Sequence, residues 1–259
     1  MSFYEKATLL CSAIAILLSI LIPLIQFIIS RSKRLKLSII PFENNSLYLL
    51  YNESGSYFKF SFCVSCQNRP TTISSIQAKI LRKSDGKEKL FNWSTLESIY
   101  INWFGINSAN RINSVSYARP CKINADTLEP FIVEFTNTDT EHLQELCSAR
   151  DQQLLRYVTF SEKQMNSVDD LRKTYTALDE YRQLCKDYNC FLFWLPGEYE
   201  LSLTLKHDVK KKKIVKYNFS ISESEYSQIC KNEESIIFGQ LYKQSNQQPL
   251  PFNSIPKTL

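Results

Sequence analysis

The chain has 259 residues, a formal net charge of +5 and a hydrophobic fraction of 44%. That suffices for one domain of ordinary size with an addition, and it is too apolar for a disordered chain. Only five Gly and two His stand against 16 Phe and 14 Tyr, which disfavours glycine-built phosphate loops and histidine-centred hydrolytic or metal chemistry.

A short flank, residues 1–6, comes first. Between Lys6 and Arg31 lie 24 uncharged residues, Ala7 to Ser30, rich in Leu, Ile, Ala and Phe. As a helix they would reach roughly 36 Å, more than the ~30 Å hydrocarbon core, so the sequence predicts a transmembrane helix over 7–30. The only Ala-x-Ala, Ala13 to Ala15, lies inside the run, which argues for an uncleaved anchor. Glu5 offsets Lys6 on the leading side, whereas Arg31, Lys33, Arg34 and Lys36 form a basic neck over 31–36. Basic flanks stay inside. The expectation is a single-pass inner-membrane protein with its N-terminus outside, its body cytoplasmic and the lipid bilayer as a partner. Ser12, Ala15, Ser19 and Gln26 fall on one helical face, where small and amide side chains favour close helix approach and a homo-oligomer. The alternative is that they scatter without consequence through a long apolar run.

Beyond the neck, apolar residues recur with period two, as half-buried strands require. The sets are Leu35/Leu37/Ile39, Phe58/Phe60/Phe62/Val64, Ile76/Ala78/Ile80, Phe131/Val133/Phe135, Leu201/Leu203/Leu205 and Val215/Tyr217/Phe219/Ile221. Glu53-Ser54-Gly55 reads as a turn, and Ser84-Asp85-Gly86-Lys87 as a hairpin turn suited to positive φ. The fold class expected is mainly β, an immunoglobulin-like antiparallel β-sandwich over 35–222. Leu195-Pro196-Gly197-Glu198-Tyr199 at the head of an alternating strand resembles the tyrosine corner of such sandwiches. The penultimate strand is then 198–206 and the last 213–221.

A helical insertion interrupts the strands at about 139–188. Val168, Leu171, Tyr175, Leu178 and Cys185 keep helical spacing behind a Ser167/Asp170 cap. Ser222-Glu223-Ser224-Glu225 opens a C-terminal helix and extension over 223–243, and residues 244–259, rich in Gln, Asn, Ser and Pro, read as a flexible tail.

With its span, its neck and a strand-rich body carrying Asn68-Arg69-Pro70-Thr71-Thr72-Ile73, the chain resembles a diffuse group of uncharacterised bacterial membrane-anchored sandwich proteins. The resemblance covers residues 7–135 in outline. It implies architecture and brings no catalytic residues.

Lys206, Lys210, Lys211, Lys212, Lys213 and Lys216 cluster near the last hairpin. Without these six and the four neck cations, 21 basic residues face 26 acidic ones, a balance of −5. The hairpin is expected at the end of the sandwich where the neck enters, so Arg31, Lys33, Arg34, Lys36 and Lys210 to Lys213 form a basic collar fit for anionic lipid headgroups. The other reading is a solvated hairpin tip whose lysines discourage edge pairing. Nucleic acid is disfavoured as a partner, since no aromatic residue interleaves the lysines and the body is acidic.

Seven of the eight Cys lie beyond the span. An odd number argues against a disulfide framework. Cys63 and Cys66 form a CxxC, with Cys185 and Cys190 as a looser pair. On a strand, though, residues i and i+3 point to opposite faces, and Cys66 shares the parity of the buried set. A zinc site would need a bulge there. Neither His142 nor His207 has a second His at ligand spacing, and Asp169 and Asp170 suit a helix first turn. No Walker loop, dinucleotide fingerprint or nucleophile elbow occurs. No cofactor and no catalytic residue is therefore assigned. The favoured reading is a non-enzymatic, membrane-anchored cytoplasmic interaction module that binds a protein or small ligand and can self-associate through its span. Its rival is an enzyme or ligand-gated effector with a site between the helical insert and the sheets, where Phe191, Phe193 and Trp194 are gathered.

Overall fold

The computed structural model describes residues 3–32, 34–103, 109–137, 141–160, 167–208, 211–245, 248 and 250–259. The strands are β1 (Lys36–Pro41), β2 (Leu47–Asn52), β3 (Gly55–Gln67), β4 (Thr71–Arg82), β5 (Glu88–Trp103), β6 (Ala109–Tyr117), β7 (Cys121–Ile123), β8 (Thr127–Asn137), β9 (Gly197–His207), β10 (Lys211–Ile221) and β11 (Ile255–Lys257). The helices are α1 (Phe3–Ser32), α2 (Glu141–Phe160), α3 (Val168–Tyr175), α4 (Asp179–Cys190), α5 (Glu223–Cys230) and α6 (Asn232–Gln244).

The transmembrane expectation is corrected. Among the described residues no helix is long and apolar enough to cross a membrane. Residues 7–30 are helical within α1, which runs from Phe3 to Ser32. The single-pass inner-membrane placement, with the N-terminus outside and the body cytoplasmic, loses its basis with the span. Every described side chain of α1 is exposed, Leu17, Ile20 and Phe27 included.

The mainly-β expectation holds, but the two sheets of an immunoglobulin-like sandwich are replaced by one continuous antiparallel sheet that curls on itself. Its order is β10-β9-β4-β5-β8-β3-β2-β11, with β1 beside β3, β6 beside β5 and β7 beside β4. The period-two residues explain the curl. Phe58, Phe60, Phe62 and Val64 of β3 are fully buried, as are Ala78 and Ile80 of β4 and Leu201, Leu203 and Leu205 of β9. One half of the sheet therefore covers the apolar face of the other, and the Phe60 and Tyr217 rings meet edge to face across the core at 5.6 Å.

Four strands escape the alternation rule for identifiable reasons. On β2, Leu47, Leu49 and Tyr51 are buried, but the intervening Tyr48 and Leu50 are apolar too, so no contrast marks the period. On β5 the register shifts between Trp93 and Thr95, which breaks the count midway. β7 and β11 have three residues each, too few to show a period.

The helical insert forms as α2, α3 and α4. Ser167 caps α3 by accepting from the Asp170 N–H at 3.2 Å, and Ser222 with Glu225 makes a reciprocal capping box on α5. α2 lies on α4 and α6 along β2. Tyr175, Tyr181 and Phe238 fill the helical layer with ring contacts of 6.1 to 6.3 Å. Gly55, at φ +92°, sits under α2 so closely that a Cβ would lie 2.7 Å from Leu143 Cδ1.

The segment expected as a flexible tail returns to the body. β11 pairs antiparallel with β2, Ile255 opposite Leu49 and 1% exposed. The fully buried Asn232 donates to the Tyr51 and Asn253 carbonyls at 3.1 and 2.9 Å and accepts from the Asn253 N–H at 2.6 Å. Polar composition hid a segment anchored by one apolar side chain and one amide.

Candidate functional site

The largest described recess between the insert and the sheet is a cleft of about 320 Å³. It is built from Lys87 and the start of β5, Glu88 to Leu90, the end of β8, Leu143 of α2, the exposed Cys190 closing α4, and the link Phe191–Phe193. The local sequence fixes that link. The N–H groups of Phe191 and Leu192 turn back to the Tyr188 and Asn189 carbonyls at 3.0 and 3.1 Å. The Phe193 N–H donates to Ser56 Oγ at 2.8 Å, and its carbonyl accepts from Arg82 Nη1 at 2.9 Å.

Arg82 is 5% exposed and grips Asp85 through Nε and Nη2 at 2.9 and 2.6 Å. The hairpin turn read from Ser84-Asp85-Gly86-Lys87 thus becomes the strut that holds the cleft's floor. Hydrogen bonding from Arg82 first, and then from the Lys87 N–H, holds the Asp85 carboxyl well below the usual carboxylate range, and the same carboxylate raises the Arg82 guanidinium. The Phe193 ring has the Arg82 guanidinium carbon 5.3 Å and the Lys89 ammonium 5.7 Å from its centre.

The resulting surface is amphipathic. Leu143, Leu192 and Phe193 make an apolar floor, each at most 4% exposed, while Lys87 and Glu88 stand on the rim with half-buried Lys89. Glu88, the one carboxylate among the described lining residues, is held by Lys79 at 2.7 Å. Of the aromatic residues expected to gather here, Phe191 and Phe193 line the cleft. Trp194 is instead fully buried behind it, stacked on Phe91 at 5.8 Å, with its indole N–H on the Leu50 carbonyl at 2.8 Å.

The other sequence candidates fall elsewhere. Lys33 and Lys210 lie outside the described residues, as do the side chains of Arg31 and His142. Arg34 and Lys36 are exposed, and the Arg34 carbonyl accepts from Asn68 Nδ2 at 2.9 Å. Lys211 and Lys212 are exposed and Lys213 is half-buried. Beside the lysine hairpin, Thr71 Oγ1 at the start of β4 donates to Asp208 Oδ1 at 2.7 Å. Ser12, Ala15, Ser19 and Gln26 are exposed on α1, and the Ser12 and Ser19 hydroxyls bond back to the Thr8 and Ile16 carbonyls of their own helix.

Cys63, Cys66, Cys121, Cys147, Cys185, Cys190 and Cys230 are free thiols. Cys66 is buried in the core with Val64, and its thiol donates to the Arg69 carbonyl at 2.8 Å. Burial, followed by a hydrogen bond with Glu233, pushes the Cys185 thiol up to about 12. Among the described residues no three His, Cys, Asp or Glu side chains are grouped to hold a metal.

No family model matches the chain, and no curated protein does. Among solved structures it is similar to a family 123 glycoside hydrolase from Clostridium perfringens at 11% identity and a TM-score of 0.33, over 83% of this chain and 35% of that one. It thus spans about a third of that enzyme's length. Spo0M, a sporulation control protein from Bacillus subtilis, aligns at 10% identity and a TM-score of 0.28, over 87% and 69% of the two chains. Likeness at this level carries no argument about fold or activity.

Proposed function

We propose that this chain is a non-catalytic interaction module that takes a small amphipathic anion into the cleft between its helical insert and its sheet. The observation that carries the reading is the cleft's division of labour. A rigid apolar floor, Leu192 and Phe193, is clamped through its backbone by Ser56 and Arg82. Lys87 and Lys89 line the same cleft, and Glu88 between them is already held by Lys79. An apolar floor beside a few placed charges is a combination that small-molecule sites use to orient a ligand.

Titration of the full chain with anilinonaphthalene sulfonate tests the reading. Saturable binding is expected, weakened roughly tenfold by Lys87→Glu combined with Lys89→Glu, as the loss of charge-assisted contacts implies. A bulky maleimide on Cys190, at the rim, should block it. Unsaturable binding, or binding indifferent to both changes, would sink the proposal.

A further inference from the structure

A second recess lies within the sheet itself. β4 pairs with β7 over Thr71–Ile73 and with β5 over Gln77–Leu81, so Ser74, Ser75 and Ile76 have no described strand beside them on that edge. Two irregularities face the gap. The β4–β9 ladder shifts register between Ile73 and Ser75, and the β5–β8 ladder shifts between Trp93 and Thr95. Bulges bend strands and re-aim side chains, and they recur beside functional sites. Here the splayed strands leave an opening of about 240 Å³, walled on one side by Ala118 to Pro120. The Ala118 N–H fixes that wall to the Ser94 carbonyl at 3.0 Å.

Seven lining side chains carry donors; those of Ser74, Gln77 and Trp93 are spent on Lys206, Asn92 and Thr95, which leaves Ser75, Asn92, Arg119 and Lys206. Gln77 Nε2 donates to Asn92 Oδ1 at 3.1 Å, and the Asn92 amide nitrogen has no acceptor among the described residues. Nor do the side chains of Arg119 and Lys206 have a hydrogen-bond or ion-pair partner there. Among the described residues no Asp or Glu lines the opening. Lys212 lies directly across from Lys206 on β10, which places a third cation next to it. Charge-assisted hydrogen bonds are the strong ones, and a guanidinium fork fits a pair of oxyanion oxygens.

We propose that this sheet opening is a binding site for a tetrahedral oxyanion, a phosphate or sulfate group carried by a small molecule, with Arg119 and Lys206 as its anchoring cations and Ser75 and Asn92 as orienting donors. The site is separate from the cleft under the helical insert and stands or falls independently of it.

The test is calorimetric titration of the full chain with inorganic phosphate, sulfate, glucose 6-phosphate and, as a planar control, acetate. Saturable binding of phosphate and sulfate is expected, with each of Arg119→Gln and Lys206→Gln weakening it about tenfold. Lys211→Gln with Lys213→Gln, which removes the charge of two lysines that do not line the opening, should leave it unchanged. Tighter binding of glucose 6-phosphate than of phosphate marks a carried group, and equal binding marks the free ion; either supports the site. Absence of saturable binding up to about 10 mM, acetate binding as well as phosphate, or equal loss in the control pair would overturn it. Both anchoring residues are exposed, so an unchanged melting temperature without ligand shows that the variants remain folded.

Discussion

The Tyr199 hydroxyl donates to the Leu195 carbonyl across 2.6 Å, with the Phe193 carbonyl 3.3 Å away. This closes a tyrosine corner at the entrance to β9. The ring is fully buried and stacks on Phe219 at 5.1 Å, so the phenol secures the turn that also carries the floor of the cleft. Tyr199→Phe keeps the packing and removes one buried hydrogen bond, leaving the Leu195 carbonyl without its donor. A loss of about 1 to 2 kcal/mol is expected in urea unfolding. Ligand binding in the cleft should weaken with it, because the Phe193 carbonyl is held from the same corner.

Asp85 gives the fold an acid-sensitive joint. Its folded pKa lies below its unfolded value, so its contribution to stability is fully present above about pH 4 and is lost as the pH falls through the folded value. In urea midpoints measured across pH, Asp85→Asn should sit below the parent chain by a constant margin above about pH 4. The two curves should converge in stronger acid. A gap that widens on acidification would contradict the Arg82–Asp85 pairing.

Asn232 joins three segments that are distant in sequence. Asn232→Ala leaves the buried Tyr51 carbonyl without a partner and frees the Asn253 backbone, at a cost of roughly 2 kcal/mol. Limited proteolysis should then cut between residues 246 and 254, while the rest of the body resists. Ile255→Ser, which removes the side chain opposite Leu49, should open the same segment.

The thiols should react in order of burial. Cys190 is exposed, whereas Cys66 and Cys185 are buried and burial pushes both thiols up. At pH 8 a chromogenic disulfide should modify Cys190 first, with Cys66 and Cys185 reacting only on unfolding.

Local signals in the sequence reached the elements that obey a single rule. Alternation located β3, β4, β8, β9 and β10, because one face of each is buried and the other wet. The Ser167 and Ser222 caps were readable for a similar reason, since a hydroxyl three residues before a backbone N–H acts within one turn. The strand with a bulge, β5, and the strand apolar on both faces, β2, were not readable. Nor was either recess, because cleft and sheet opening join residues far apart in the chain, such as Lys206 with Arg119 and Lys89 with Phe193.

The opening contrast of +5 charge and 44% hydrophobicity resolves into distribution. By itself the sequence determined a β-rich, aromatic core, the helical insert and the two lysine-rich stretches, all set by side-chain period and local composition. Tertiary structure alone decided three things: that the sheet curls as one surface, that it splits between β4 and β5, and that Arg119 and Lys206 line one opening with no carboxylate among the described lining residues. Register and bulges control those outcomes. They are properties of strand pairs, and no single stretch of chain contains them.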